Sequence, residues 1–204
     1  MLSSITPFLT TKQDHWKVGR AANFFCFLVY SLFSSYLLFL PFSLTDIHLA
    51  DVDGDGVEEL VVSSHEGGDG GSLFAYELPP NFNPRMPDDM SMNTSWERIT
   101  LGGSFVVKAA GPNEAAPGFV YPFYLHGDKR PTWIIAGDGS FGVHALYPLE
   151  DFNGNPYAYS SSKIIEVGGT VGTLAVEDLN GDGTLELVVP DYDNGFIYFY
   201  SLLM

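Results

Sequence analysis

Cysteine is nearly missing from this chain: Cys26 is the one thiol, so no disulfide can form within it and the compartment is not marked by cysteine usage. Basic residues are scarce too, with 9 lysines and arginines against 25 aspartates and glutamates and a formal net charge of −16. That imbalance excludes a nucleic-acid partner, because a phosphate backbone requires a basic face. Charged residues make up only 17% and hydrophobic residues 46%, which excludes wholesale disorder and allows a packed core. No segment resembles a phosphate-binding loop, a nucleophile elbow or a Cys/His zinc cluster. What the chain does have is 22 glycines and 13 prolines, the turn residues that a protein of many short strands needs. Its acidic excess suits the binding of hard cations, which take oxygen ligands, although part of it is a solvated surface.

One long apolar run stands near the start. Phe24 to Leu40 are uncharged, preceded by Lys12, Lys17 and Arg20 and followed by Asp46. Basic-before-apolar is the order of a secretory signal or a signal-anchor helix. A membrane span takes roughly 20 apolar residues, so the run is short for an anchor. It is also long for a signal, and no small-residue cleavage site follows. Its Phe/Ser/Leu/Pro bias also fits translated non-coding sequence, and a buried core helix is a third alternative. Residues 1–43 are therefore set apart from residues 44–204 as an N-terminal hydrophobic segment.

Beyond it the chain repeats itself. Thr45-Asp-Ile-His-Leu-Ala-Asp51-Val-Asp53-Gly-Asp55-Gly56-Val-Glu-Glu59-Leu-Val-Val62 aligns with Gly172-Thr-Leu-Ala-Val-Glu-Asp178-Leu-Asn180-Gly-Asp182-Gly183-Thr-Leu-Glu186-Leu-Val-Val189. Ile47 and Leu49 fall on Leu174 and Val176, an alternation that predicts a half-buried strand before each loop. Leu60–Val62 and Leu187–Val189 are short β-branched runs that predict a buried strand after it. A glycine-rich turn and a third strand follow in both, Ser72–Leu78 after residues 67–71 and Phe196–Leu202 after Tyr192-Asp-Asn-Gly195. A degenerate third copy lies between them. Trp133-Ile-Ile-Ala136 stands in the place of Leu60-Val-Val, Gly137–Ser140 is its turn, and 142–147 its third strand. Its loop, Tyr124-Leu-His126-Gly-Asp128-Lys-Arg-Pro-Thr132, keeps one acidic position and places Lys129 and Arg130 where a cation would approach, so no calcium is expected there.

Strand, loop, strand, turn, strand is a propeller blade without its outer strand. The prediction is an all-β fold, a partial β-propeller of about three blades at residues 44–80, 100–149 and 164–203, behind the N-terminal hydrophobic segment. Propellers use about four to eight blades, so three predict a fragment or part of an assembly that supplies the rest.

Calcium takes about six to eight oxygens, and a short loop supplies them from alternate residues. Asp51, Asp53, Asp55 and Glu59 offer side chains, and Val57 its carbonyl; Gly56 permits the bend that lets them converge. The second loop offers Asp178, Asn180, Asp182 and Glu186 with the Thr184 carbonyl, and the neutral Asn180 predicts weaker binding. Asp-Gly turns also form with no metal, through side-chain to backbone hydrogen bonds. Crowded carboxylates in two matching loops favour a structural Ca2+. An EF-hand needs a glutamate at its twelfth position, where Val62 and Val189 stand, and helices on both sides.

These loops resemble the D-x-D-G-D-G-x-x-[DE] motif of the FG-GAP/VCBS repeats found in the integrin α-subunit propeller and in many secreted bacterial and fungal proteins. The resemblance covers about residues 44–202 and rests on Asp51–Glu59 and Asp178–Glu186. It implies structural calcium sites, each pinning a loop between two strands of a blade, and an extracellular or membrane-anchored protein with its repeats outside. It also implies a non-catalytic module for recognition or adhesion, with a protein or carbohydrate ligand. The alternative it offers is the propeller part of a carbohydrate-active enzyme, similar to aldos-2-ulose dehydratase, acting as a sugar dehydratase or lyase; no cupin segment accompanies it here.

Three further features are weighed against blander roles. His65, His126 and His144 lie near turns of successive repeats and could gather to hold a catalytic metal, although scattered packing histidines are commoner. Pro117-Gly-Phe-Val-Tyr-Pro-Phe-Tyr124 could stack on a sugar, although strand aromatics are more often core. Asn93-Thr94-Ser95 is an N-glycosylation sequon if the chain is secreted.

Overall fold

The computed structural model describes residues 43–65, 71–78, 96–103, 105–107, 115–125, 127–150 and 153–202. The apolar run 24–40, Cys26, the glycosylation sequon, His126 and most of the 67–71 turn lie outside them. All the regular structure among the described residues is strand, and no helix there is long and apolar enough to cross a membrane.

The strands form three antiparallel sheets. The first holds β1 (Ser43–Ala50), β2 (Glu59–His65), β3 (Ser72–Tyr76) and β4 (Arg98–Gly103), in that order. The second holds β5 (Val120–Phe123), β6 (Thr132–Ala136), β7 (Gly142–Pro148) and β8 (Tyr159–Glu166), again in chain order. The third holds β9 (Ala175–Glu177), β10 (Leu185–Asp191) and β11 (Phe196–Leu202). Each acidic loop joins the first strand of its sheet to the second, as the repeat predicts. Strand registers confirm the alignment: Glu59 faces Ala50 and Glu186 faces Glu177, while Leu60 faces Tyr76 and Leu187 faces Tyr200.

Two outer strands depart from the expected pattern. β4 pairs with β3 and β8 with β7, so two of the sheets have four strands rather than three. Residues 98–103 thus belong with the first sheet, ahead of the second repeat drawn from 100, and 159–166 extend the second sheet beyond 149. Both strands are mostly open to solvent, and so lack the apolar alternation that marks a buried strand.

Successive side chains of a strand point to opposite sheet faces, and this pleat builds the core. One face of the first sheet, with Val61, Leu73, Ala75 and Leu101, packs on Val120, Trp133, Ile135 and Leu146 of the second. The opposite face of the second sheet, with Phe123, Ile134, Val143 and Ala145, packs on Leu174, Val176, Leu187 and Val189 of the third. Polar ties reinforce the first contact: the Asp46 carboxylate on β1 accepts from the Val120 amide on β5 at 3.0 Å.

Candidate metal centre

The sites are the β1–β2 and β9–β10 loops. In the first, Asp51 turns its carboxylate inward and accepts from two amides, Gly54 at 2.7 Å and Gly56 at 2.9 Å. Asp53 accepts from the Asp55 amide at 3.0 Å, and Asp55 from the Val57 amide at 2.7 Å. Glu59, the first residue of β2, reaches back across the loop to the Val52 amide at 2.9 Å. Gly54 and Gly56 have φ of 85° and 92°, a left-handed conformation that disfavours other residues, and this tight winding turns the acidic side chains to one centre.

The second loop repeats this network bond for bond. Asp178 accepts from Gly181 at 2.7 Å and Gly183 at 2.9 Å, Asn180 from Asp182 at 2.8 Å, and Asp182 from Thr184 at 2.8 Å. Glu186 closes the loop on the Leu179 amide at 2.9 Å, and Gly181 and Gly183 have φ of 74° and 86°. Two bonds are added: the Asp182 amide also donates to Asp178 at 3.2 Å, and the Asn180 side-chain amide donates to Asp182 at 2.9 Å, which relieves part of the crowding without a cation.

Asp51, Asp53 and Glu59 bring carboxylate oxygens within 4.8 Å of one another, the one such group of three acidic or imidazole side chains among the described residues. Calcium–oxygen distances of about 2.3–2.6 Å put two ligands of one ion at most about 5 Å apart, so these three oxygens fit a single Ca2+. Each carboxylate oxygen has a second lone pair left after the amide bonds. Asp55 is not in this group, and its carboxylate accepts from the Val57 amide. Glu59 is buried, and that burial, followed by the charges of Asp53, Asp55 and Asp51, pushes its carboxyl up to about 7.

The degenerate loop takes a different course. Register places Thr132 at the Glu59 position, and its buried hydroxyl finds no hydrogen-bond partner. Arg130 turns toward the first loop. Its Nε donates to the Val52 carbonyl at 2.8 Å, its two terminal nitrogens donate to Leu149 at 3.1 Å and Ala158 at 3.0 Å, and its plane lies over Tyr159 at 4.7 Å. The Tyr159 hydroxyl donates to the same Val52 carbonyl at 3.2 Å. Val52 is thus gripped on both sides, its amide by Glu59 and its carbonyl by the second sheet. The sequence pattern placed Arg130 in the loop but had no signal for this long-range partner.

Among the described residues the histidines do not assemble a metal site, and His126 lies outside them. His65 meets the Pro117 carbonyl and the Asp138 carboxylate, whereas His144 meets the Ser140 hydroxyl at 3.0 Å and the edge of Phe105. Burial, then the Lys163 charge, pushes His144 down to about 4, so it is neutral at physiological pH. In the aromatic stretch, Val120 and Phe123 are core while Tyr124 is exposed. No family model, curated protein or solved structure matches the chain.

Proposed function

We propose that the chain is a calcium-stabilised β-propeller module of FG-GAP/VCBS type, a non-catalytic scaffold for extracellular recognition or adhesion. The observation that carries this reading is the bond-for-bond identity of two acidic loops in two different sheets, each closed by a buried glutamate. Two turns that merely satisfied their own amides would have no need of a buried carboxylate beside three other acidic side chains in the first loop and two in the second. A divalent ion supplies that need, because it neutralises charge that water cannot reach. The sheets in series then serve as blades, and their connecting loops as the variable surface for a partner. Weak structural sites of this kind suit extracellular calcium, at about 10⁻⁴–10⁻³ M affinity.

The test is thermal unfolding and calorimetric titration of the purified chain with calcium and with a chelator. At free calcium 100-fold above the dissociation constant, each occupied loop adds about 2.7 kcal/mol of stability, so chelation lowers the melting temperature. The chain is also expected to leave sugar substrates unchanged. Absence of both binding heat and a melting shift refutes the reading.

A further inference from the structure

Asparagine followed by glycine is the pair whose side-chain amide lies most open to attack by the next backbone nitrogen, because glycine puts no side chain in the way. The chain has three such pairs, Asn153–Gly154, Asn180–Gly181 and Asn194–Gly195. Asn180 and Gly181 are exposed in the β9–β10 loop, and a Cβ built on Gly181 would meet nothing within 4 Å. On the equivalent Gly54 it would meet the Arg130 stem at 3.4 Å. The second loop also places a group at each atom that an attack would use. The Gly181 amide donates to the Asp178 carboxylate at 2.7 Å, so a base sits on the hydrogen that the nucleophile must shed. The Asn180 side-chain carbonyl accepts from the Asp182 amide at 2.8 Å, which puts a donor on the oxygen where negative charge develops. The Asn180 side-chain nitrogen donates to the Asp182 carboxylate at 2.9 Å, which holds the amide in one orientation. Asn194–Gly195 is arranged otherwise. Its side-chain nitrogen is held by both Asp191 oxygens at 3.0 Å, and the Gly195 amide donates at 3.0 Å to a neutral acceptor, the Asp191 backbone carbonyl.

We propose that the β9–β10 loop promotes its own deamidation at Asn180 when it holds no metal, and that a bound ion prevents it. The Gly181 nitrogen bonds to Asn180 Cγ while its proton passes to the Asp178 carboxylate. The Cγ–Nδ2 bond then breaks, and the side-chain nitrogen leaves as ammonia with that proton. Solvent water opens the resulting five-membered succinimide, and no electron is gained or lost. Where the water adds at Cγ, the nitrogen–Cγ bond breaks, the Gly181 amide recovers its hydrogen and residue 180 is an aspartate. The loop then carries an acidic side chain at each position equivalent to Asp51, Asp53, Asp55 and Glu59. Addition at the main-chain carbonyl instead lengthens the backbone by a carbon and spoils the ligand spacing. An ion held by Asp178 and Asn180 takes the base out of use and fixes the side chain, so the amide endures. The protection by calcium rests on the proposed calcium site; the reaction itself does not.

The test incubates the full chain in chelator, in calcium and in denaturant, and follows the amide-to-acid conversion at each Asn-Gly pair by peptide mass spectrometry. Acid–base groups positioned in enzymes give about 10²–10⁴-fold, and one base in an exposed loop is expected to give about tenfold. In chelator, below the unfolding transition, Asn180 is therefore expected to convert faster by about that factor than in denaturant, and Asn194 more slowly than in denaturant. Calcium is expected to bring Asn180 below its denatured rate. Asp178→Asn is expected to remove the acceleration at Asn180 with circular dichroism and the Asn194 rate unchanged; should that variant misfold, the comparison of folded with denatured parent still decides. An Asn180 that reacts no faster folded than in denaturant overturns the proposal, whether or not calcium binds. Acceleration in chelator that excess calcium leaves untouched upholds the reaction and counts against the calcium site.

Discussion

Replacing Arg130 with methionine tests whether the degenerate loop works as a clamp on the first acidic loop. Methionine keeps much of the aliphatic stem, which packs near Gly54, and removes the guanidinium. Three hydrogen bonds from a charged donor are lost, to Val52, Leu149 and Ala158, together with the stacking on Tyr159. Bonds to charged groups contribute about 1.5–3 kcal/mol each, but these are partly exposed and water replaces some of them. The Val52 carbonyl also keeps the Tyr159 hydroxyl. The stacking adds about 0.5–1 kcal/mol at a site of this exposure. A loss of about 3 kcal/mol results, which in a chain of this size lowers the melting temperature by about 6–12 °C. Lysine, with one point of charge in place of a planar fork, recovers at most about a third. Urea unfolding followed by circular dichroism measures the difference. Because Val52 also anchors Glu59, the substitution is expected to weaken calcium at the first loop and leave the second unchanged. A variant within about 0.5 kcal/mol of the parent refutes the clamp.

Glu59 makes the metal-free chain sensitive to pH. Its folded carboxyl titrates at about 7 rather than 4.5, so below pH 4.5 the folded state loses nothing, and stability falls as pH rises toward 7. The span corresponds to at most about 3 kcal/mol. Unfolding midpoints measured in chelator across that window should decline and should flatten in Glu59→Gln; a level profile in the parent counts against the buried carboxylate. Calcium reverses the slope, since protons then compete with the ion. Asn180→Asp restores the missing charge of the second loop and removes the amide bond to Asp182. It is expected to tighten calcium at that loop severalfold while lowering metal-free stability, and titration that shows no gain in affinity would set aside the charge argument.

What the sequence made legible was local. The acidic loops could be read because their acidic residues and glycines fall at matching spacings, and the strands around them because Leu60–Val62 and Leu187–Val189 are short apolar runs. β4 and β8 escaped notice for the converse reason. An outer strand needs only backbone hydrogen bonds from its neighbour, and Ser160, Ser161, Ser162 and Lys163 supply those with no apolar period. The candidate site divides in the same way. Asp51, Asp53 and Glu59 bring carboxylate oxygens within 4.8 Å of one another, while Asp55 accepts from the Val57 amide, an arrangement that spacing alone does not decide.

The deepest gap lies between equal sequences in unequal surroundings. Val52 and Leu179 are both aliphatic, hold the same place in matching loops and donate their amides to the glutamate that closes each loop. One is sealed and the other is open, and nothing within either loop distinguishes them. The difference comes from residues far along the chain, Arg130 and Tyr159, that cover the first loop and have no described counterpart over the second. Repetition in a sequence therefore specifies what each sheet can bury, while the neighbour it receives decides what it does bury. Val188, Ile197 and Phe199 are half-buried at positions that are enclosed in the two preceding sheets, because no described sheet lies over them.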